Sequence, residues 1–357
     1  MMRTILKKSC PPLSTCALMA MLALFSVTAC GPSEQEKNSK GVVNIYSARH
    51  YDADEELYDL FKKTTGIEVK RIEMKGDLLL ERLKAEGNQS PADVILLVDA
   101  GNFWRAQSAG LFQPVQSAKL DASVPKNLQG ANKDWFGFTK RARVIAYDPS
   151  RIKPEQVATY SQLTDPSLKG QICVRPSSNV YNLSMMSGFI QEWGVAKAET
   201  WAKGVVANFA RPPEGADTDQ LKAIAQGQCA ISLVNHYYAV RLQRSLDPAE
   251  KAIAAKIALS FPDQKGEGTH VNVSGGALAR YAPNKANGIT FLEFLVSPPA
   301  QAIFAKANDE FPILTSAMDD NSALKGLAGF KEAQTPMTVL GINQGEAQKV
   351  FDRAGWK

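Results

Sequence analysis

Strand-like and helix-like segments alternate from Gly41 to the end of the chain, and the alternation starts over midway. VVNIYSA, IEVKRIEMK and ADVILLVDA read as strands, the last an unbroken apolar run that needs cover on both faces. LYDLFKKTT, GDLLLERLKAEG and NFWRAQSAGL carry helical spacing; Asp52 and Glu55 can cap the first of these, and Gly66 suits its end. This βαβ order predicts a mainly parallel sheet. After RARVIAYDPS the same order begins again with QICVRPS, the helices SMMSGFIQEW, AETWAKGVVANF and TDQLKAIAQG, and the strand CAISLV, predicting a second α/β lobe. KIALSFP and THVNVSGGALA read as strands that return to the first lobe, and the helices from PNKANGITFLEFLV onward pack outside. Two α/β lobes with a hinge and an interlobe cleft follow, lobe I spanning 41–138 and 273–318 and lobe II spanning 139–272 and 319–357.

At the amino terminus Arg3, Lys7 and Lys8 precede an apolar stretch, residues 16–29, that is too short to span a bilayer and ends in Val27-Thr28-Ala29-Cys30. The arrangement resembles a bacterial lipoprotein signal. That resemblance makes residues 1–29 a removed signal peptide, Cys30 the lipid-modified first residue, and 30–40 a polar tether, the lipid being the chain's only hold on a membrane. A plain secretory signal or a short membrane anchor is the alternative, and each places the folded part on the periplasmic or cell-surface side. Without the three basic residues before Cys30, 38 basic residues stand against 36 acidic ones, so the formal +5 becomes +2 and gives no reason to invoke nucleic acid. Of the five cysteines, Cys10 and Cys16 leave with the signal and Cys30 takes lipid. Cys173 and Cys229 remain and, outside the cytoplasm, are expected to pair, two free thiols being the alternative.

Tyr237 and Tyr238 stand where the apolar run CAISLV gives way to a polar helix start, so two phenols at one strand end can reach one point. His50 and Tyr51 follow VVNIYSAR and Tyr181 follows ICVRPSSNV, which adds an imidazole and two phenols at comparable places. A phenol with a pKa of about 10 binds a cation well only as phenolate, so it needs a strongly charged metal to displace its proton. Ferric iron meets that need, whereas zinc favours thiolate and imidazole. Tyr181 lies eight residues after Cys173, and Tyr237 eight after Cys229; a bridge between the two strand starts would deliver both phenols to one sheet edge, where ligands of open α/β sheets collect. The ordinary alternative for any one of these tyrosines is packing with a wet hydroxyl.

The stretches NIYSARHYDADEELYDLF, ADVILLVDAGNFWRAQSAGLFQPV, TKRARVIAYDP and LVNHYYAVRL resemble periplasmic ferric-iron-binding proteins, the substrate-binding subunits of iron ABC importers. The likeness covers the mature chain and is greatest to the branch, found in cyanobacteria and some other bacteria, with His-Tyr in the first loop. It implies a two-lobe type II periplasmic-binding-protein fold, capture of Fe3+ in the cleft by a monomer, and delivery to a membrane permease driven by an ATPase subunit. It places ligands at His50, Tyr51, Tyr181, Tyr237 and Tyr238, and implies that carbonate or phosphate is not required.

Ferric iron with three phenolates is neutral and with four carries one negative charge, which a guanidinium could stabilise. Arg49 beside the first loop and Arg105 beyond ADVILLVDA are the candidates for that or for an anion, and the resemblance favours Arg105; Arg141 and Arg143, near the crossover, fit a solvated or ion-paired surface role as well as a site role. Tyr46, Tyr58, Tyr147, Tyr160 and Tyr281 read as packing, and His236 should leave on the face opposite Tyr237. No nucleophile elbow, phosphate-binding loop, HExxH helix or dinucleotide fingerprint occurs, so an enzyme is not expected. The rival is a binding protein of the same fold for a polyamine, thiamine, sulfate or phosphonate, ligands that would want carboxylates, aromatic cages or helix-terminus amides instead of clustered phenols.

Overall fold

The computed structural model describes residues 41–49 and 54–357. The expected signal, the expected tether and Cys30, and with them His50, Tyr51 and Asp52, lie outside the described residues.

Strand β1 (Val42–Ser47) is flanked by β2 (Glu68–Glu73) and β3 (Val94–Val98), both parallel to it. Helices α1 (Asp54–Thr65) and α2 (Gly76–Glu86) make the crossovers and α3 (Ala100–Ser108) follows β3. The acids Asp54, Glu55 and Glu56 in the first turn of α1 and Lys62 and Lys63 in its last complement the helix dipole, and Gly66 ends it at φ +74°. Beyond β3 the parallel order stops. β9 (Val271–Ala279) pairs antiparallel with β3, and at its end with the short β4 (Phe112–Gln113), on one side and with β5 (Trp135–Tyr147) on the other, so the sheet is mixed where a mainly parallel one was expected. The reason is a long-range insertion that local βαβ order cannot register.

β5 belongs to two sheets. Its first part, Trp135 to Ala142, pairs with β9; its last part, Arg143 to Tyr147, pairs with β7 (Ile231–Asn235), and the end also with β8 (Ala258–Ser260). β6 (Ile172–Cys173) lies parallel to β7 at the far edge, giving the order β2-β1-β3-β9-β5-β7-β6. KIALSFP therefore stays with the second sheet as a short edge strand, and only THVNVSGGALA returns to the first.

Two buried clusters form: the larger spans the first sheet and continues along one face of the second through Val144, Val234 and Ile224, and the smaller covers the other face of the second sheet through Ile145, Ile231 and Leu233. One gathers Phe61, Phe103, Trp135 and Phe291, and the other Tyr160, Phe189, Trp201 and Trp356. Helices α4 (Val180–Trp193), α5 (Val195–Ala207), α6 (Asp217–Ala225) and α7 (His236–Arg244) surround the second sheet; α8 (Lys285–Leu295) and α9 (Pro298–Asn308) cover the first. The last helix, α10 (Gln344–Ala354), buries Ala347, Val350 and Phe351 in the second cluster. Among the described residues no single helix is long and apolar enough to cross a membrane.

Cys173 and Cys229 are joined in a disulfide, with 5.8 Å between their Cα atoms. The bridge closes a loop of 56 residues that contains α4, α5 and α6. Replacing both cysteines by alanine is expected to lower the unfolding free energy by about 2–4 kcal/mol, chiefly by freeing the unfolded chain. The check is the urea midpoint of the unreduced variant; a midpoint equal to that of the parent protein would remove the bridge as a stabiliser.

Candidate metal centre

β7 ends at Asn235, whose N–H donates to the carboxylate of Asp217 (2.8 Å), and α7 begins at once. Tyr237 and Tyr238 thus occupy the first turn of a helix that grows out of a buried strand, with ring centroids 4.3 Å apart. Tyr237 is buried and Tyr238 half-buried. Tyr181 is the second residue of α4, held by a hydrogen bond from its N–H to the side chain of Asn179 (3.0 Å). The hydroxyls of Tyr237 and Tyr181 lie 3.5 Å apart. An ion with metal–oxygen bonds of about 2 Å can touch both.

The three phenols converge, by a route other than the expected one. Cys173 is the last residue of β6 and Cys229 precedes β7, so the disulfide does not join strand starts; Cys173 is registered with Ser232. Both tyrosines ride on the helices that follow the strands. The parallel β6–β7 pair still brings those two helix starts together.

Three arginines surround the phenols. Arg141 and Arg175 stand over the ring of Tyr181, their guanidinium carbons 5.0 and 5.2 Å from its centroid, and Arg241 lies 5.7 Å from that of Tyr237 and 6.0 Å from that of Tyr238. Arg141 is buried; one of its terminal nitrogens donates to the carbonyl of Val273 (2.8 Å), while Nε and Nη1 have no hydrogen-bond partner among the described residues. Burial works against its charge, yet the phenols of Tyr181 and Tyr237 and the carboxyls of Glu310 and Asp99 outweigh it and raise its pKa. Arg175 is tied to Asp217 (3.1 Å), which also binds Arg143 (2.6 Å). Burial pushes the Tyr238 phenol up to about 12, with Tyr181 and Asp217 adding to the rise and Arg175 opposing it. At neutral pH the phenol of Tyr238 stays protonated until a cation displaces its proton.

The other candidates are placed as follows. Arg49 forms a buried ion pair with Asp54 (3.0 Å), stands 3.7 Å from Glu310 and covers the ring of Phe304. Arg105 is half-exposed and paired with Asp77 (2.9 Å). Arg143, far from being a solvated group, is buried and bound to Asp217 and to Asn182 (2.9 Å). His236 is stacked on Phe311 with 4.2 Å between centroids and accepts a hydrogen bond from the N–H of Ala142 (3.1 Å); burial holds its pKa down to about 3. It is a neutral packing group. Tyr46, Tyr58, Tyr147 and Tyr160 are buried, but Tyr281 is more than half exposed and belongs to the surface. Among the described residues no group of three His, Cys, Asp or Glu side chains is arranged to hold a metal. Arg175, Asp217 and Arg241 carried no signal in the sequence, because each acquires its place only through a partner distant in the chain.

A family model described as bacterial extracellular solute-binding protein matches residues 56–329. Over 326 residues the chain is 47% identical to iron uptake protein A1 of Synechocystis sp., covering 91% of this chain and 89% of that one. Its fold is similar to that of IdiA (FutA) of Trichodesmium in complex with iron and citrate, with a TM-score of 0.85 and 50% identity over 89% of this chain and 100% of the other. It is also similar to the ferric binding protein from Campylobacter jejuni, with a TM-score of 0.83 and 36% identity over 88% and 100% of the two chains.

Proposed function

We propose a specific role within the family to which this chain belongs, the bacterial extracellular solute-binding proteins: it captures ferric iron outside the cytoplasm and delivers it to an ABC-type permease. The observation that carries this reading is the meeting of Tyr181, Tyr237 and Tyr238 under three guanidiniums, a donor set that suits a small trivalent cation; the nearby carboxylate, Asp217, is already committed to Arg143 and Arg175 and so is not held ready for a polyamine or thiamine. In this reading Tyr51, with His50 beside it in the sequence, completes the set from the stretch of chain between β1 and α1. Phenolates then fill most of the shell, so carbonate or phosphate is not needed. The fold is the two-lobe type II arrangement. We place the hinge where β5 changes sheets, at Ala142 and Arg143, and the cleft between lobe I (41–138 and 273–318) and lobe II (139–272 and 319–357). Arg141, at that point, offers charge to the phenolates or to an anion beside them, while Arg49 and Arg105 act at a remove through their own carboxylate partners. In this role the chain is a carrier and not an enzyme, works as a monomer, and is tethered to the membrane through lipid on Cys30.

Ferric citrate added to the purified protein is expected to give a red to orange colour from phenolate-to-iron charge transfer. A colourless mixture from which no iron stays bound after gel filtration would overturn the assignment.

A further inference from the structure

The turn from β3 into α3 contains a conformation that needs a reason. Asp99 has φ +80° and ψ 128°, a region costly for any residue with a side chain and retained only where the surroundings over-determine it. Its N–H donates to the carbonyl of Val273 (2.8 Å). Its buried carboxylate accepts from the N–H of Gly101 (2.9 Å), the amide of Asn272 (2.9 Å) and the hydroxyl of Ser184. The first three partners flank the first sheet. Ser184 comes from α4, three residues after Tyr181 and so on the same side of that helix.

A third element closes on the same turn. The side-chain amide of Gln344, at the start of α10, donates to the Ser184 hydroxyl (3.2 Å) and lies so close over Gly101 that a Cβ there would sit 1.8 Å from its nitrogen. Gly341 is equally tight: a Cβ there would meet that of Trp104 on α3 at 2.2 Å. Helix α3 packs in the first core through Phe103, whereas α4 and α10 pack in the second through Phe189 and Phe351. The contact therefore joins the two cores at the helix that presents Tyr181.

We propose that Asp99, Ser184 and Gln344 form a latch that holds the cleft shut over the phenol cluster and so sets how long iron stays bound. The proposal rests on the iron-binding reading above. None of the three touches the metal; they are positioning residues, and Asp99 is kept in its unfavourable conformation because that conformation aims its carboxylate across the cleft.

The test uses the iron-loaded protein, mixed rapidly with an excess of a ferric chelator. Ser184→Ala is expected to release iron roughly tenfold faster, the worth of one buried hydrogen bond, with the visible band unchanged because the ligands are intact. Ser184→Thr restores the slow rate, and Gln344→Ala gives an intermediate one. Release at the parent rate in both Ser184→Ala and Gln344→Ala overturns the latch, as does a shifted band in Ser184→Ala, which would place its effect in the ligand shell. Small-angle scattering of the metal-free proteins keeps the latch separate from the iron assignment. If the parent protein shows no band, the iron reading fails, and the latch is judged on size alone: a larger radius of gyration in Ser184→Ala supports it, and an unchanged one overturns it.

Discussion

The double variant Tyr237→Phe/Tyr238→Phe is expected to lose ferric iron by about two orders of magnitude or more in affinity. Residues that only orient a metal ligand cost about 10- to 100-fold when removed, so deleting a ligand itself costs no less, and because the two phenols touch and serve one ion their losses are coupled and do not simply multiply. The change removes two hydroxyl groups and leaves both rings, so the 4.3 Å ring contact and the burial of Tyr237 survive. Tyr58→Phe is the control: a buried tyrosine on α1, packed against Phe291 and remote from α7 in the sequence. Chelator competition gives the affinities, and the charge-transfer band shows which variants keep their phenolates. A double variant that binds iron as the parent does, with the same band, would remove Tyr237 and Tyr238 from the site.

How much of this was legible in the chain differs from residue to residue. The Tyr237–Tyr238 pair stood out because a buried apolar strand passes directly into it, and a strand end is where a side chain reaches a cleft. Tyr181 stood out because it follows the strand-like segment ICVRPSSNV, with its equal spacing from a cysteine as support, although the disulfide works through a parallel strand pair and two helix starts instead of matched strand lengths. The segment TKRARV hid more. Two arginines spaced by one residue look like solvated polarity, and nothing local says that β5 runs through both sheets and buries them. Arg143 needs Asp217, 74 residues away, and Arg175 meets the same carboxylate across 42. Such pairings are properties of the fold. The insertion of β9 between β3 and β5 was missed for the same reason: hydrophobic period and helix caps report neighbours in sequence, while strand order is fixed by which surfaces bury one another.

Acidification is expected to strip the iron steeply, and the shifted groups give the window in which to look. The phenol of Tyr238, raised to about 12 by burial first and by Tyr181 and Asp217 after it, must give up its proton for metal, as must its neighbours. Each proton displaced makes apparent affinity fall about tenfold per unit of pH, so three phenolates together give roughly a thousandfold per unit. The fold has its own pH limits. A phenol whose folded pKa is raised stabilises the metal-free protein fully below its ordinary value near 10 and stops doing so as pH climbs through 12. His236 and His270, both held down to about 3 by burial first, act in the opposite sense. Their neutral rings stabilise the fold above the ordinary imidazole value near 6.5, and that contribution drains away as pH falls towards 3. Between about pH 6.5 and 9 neither effect operates, so a change in iron affinity there belongs to the ligands. Chelator competition across that range, corrected for protonation of the chelator and hydrolysis of the iron, should show the steep slope while circular dichroism stays constant. Dithionite at fixed pH should loosen the metal too, because the ferrous ion carries less charge with which to hold anionic oxygen. Affinity that stays flat from pH 9 to 6.5 would show that phenolates are not what holds the metal.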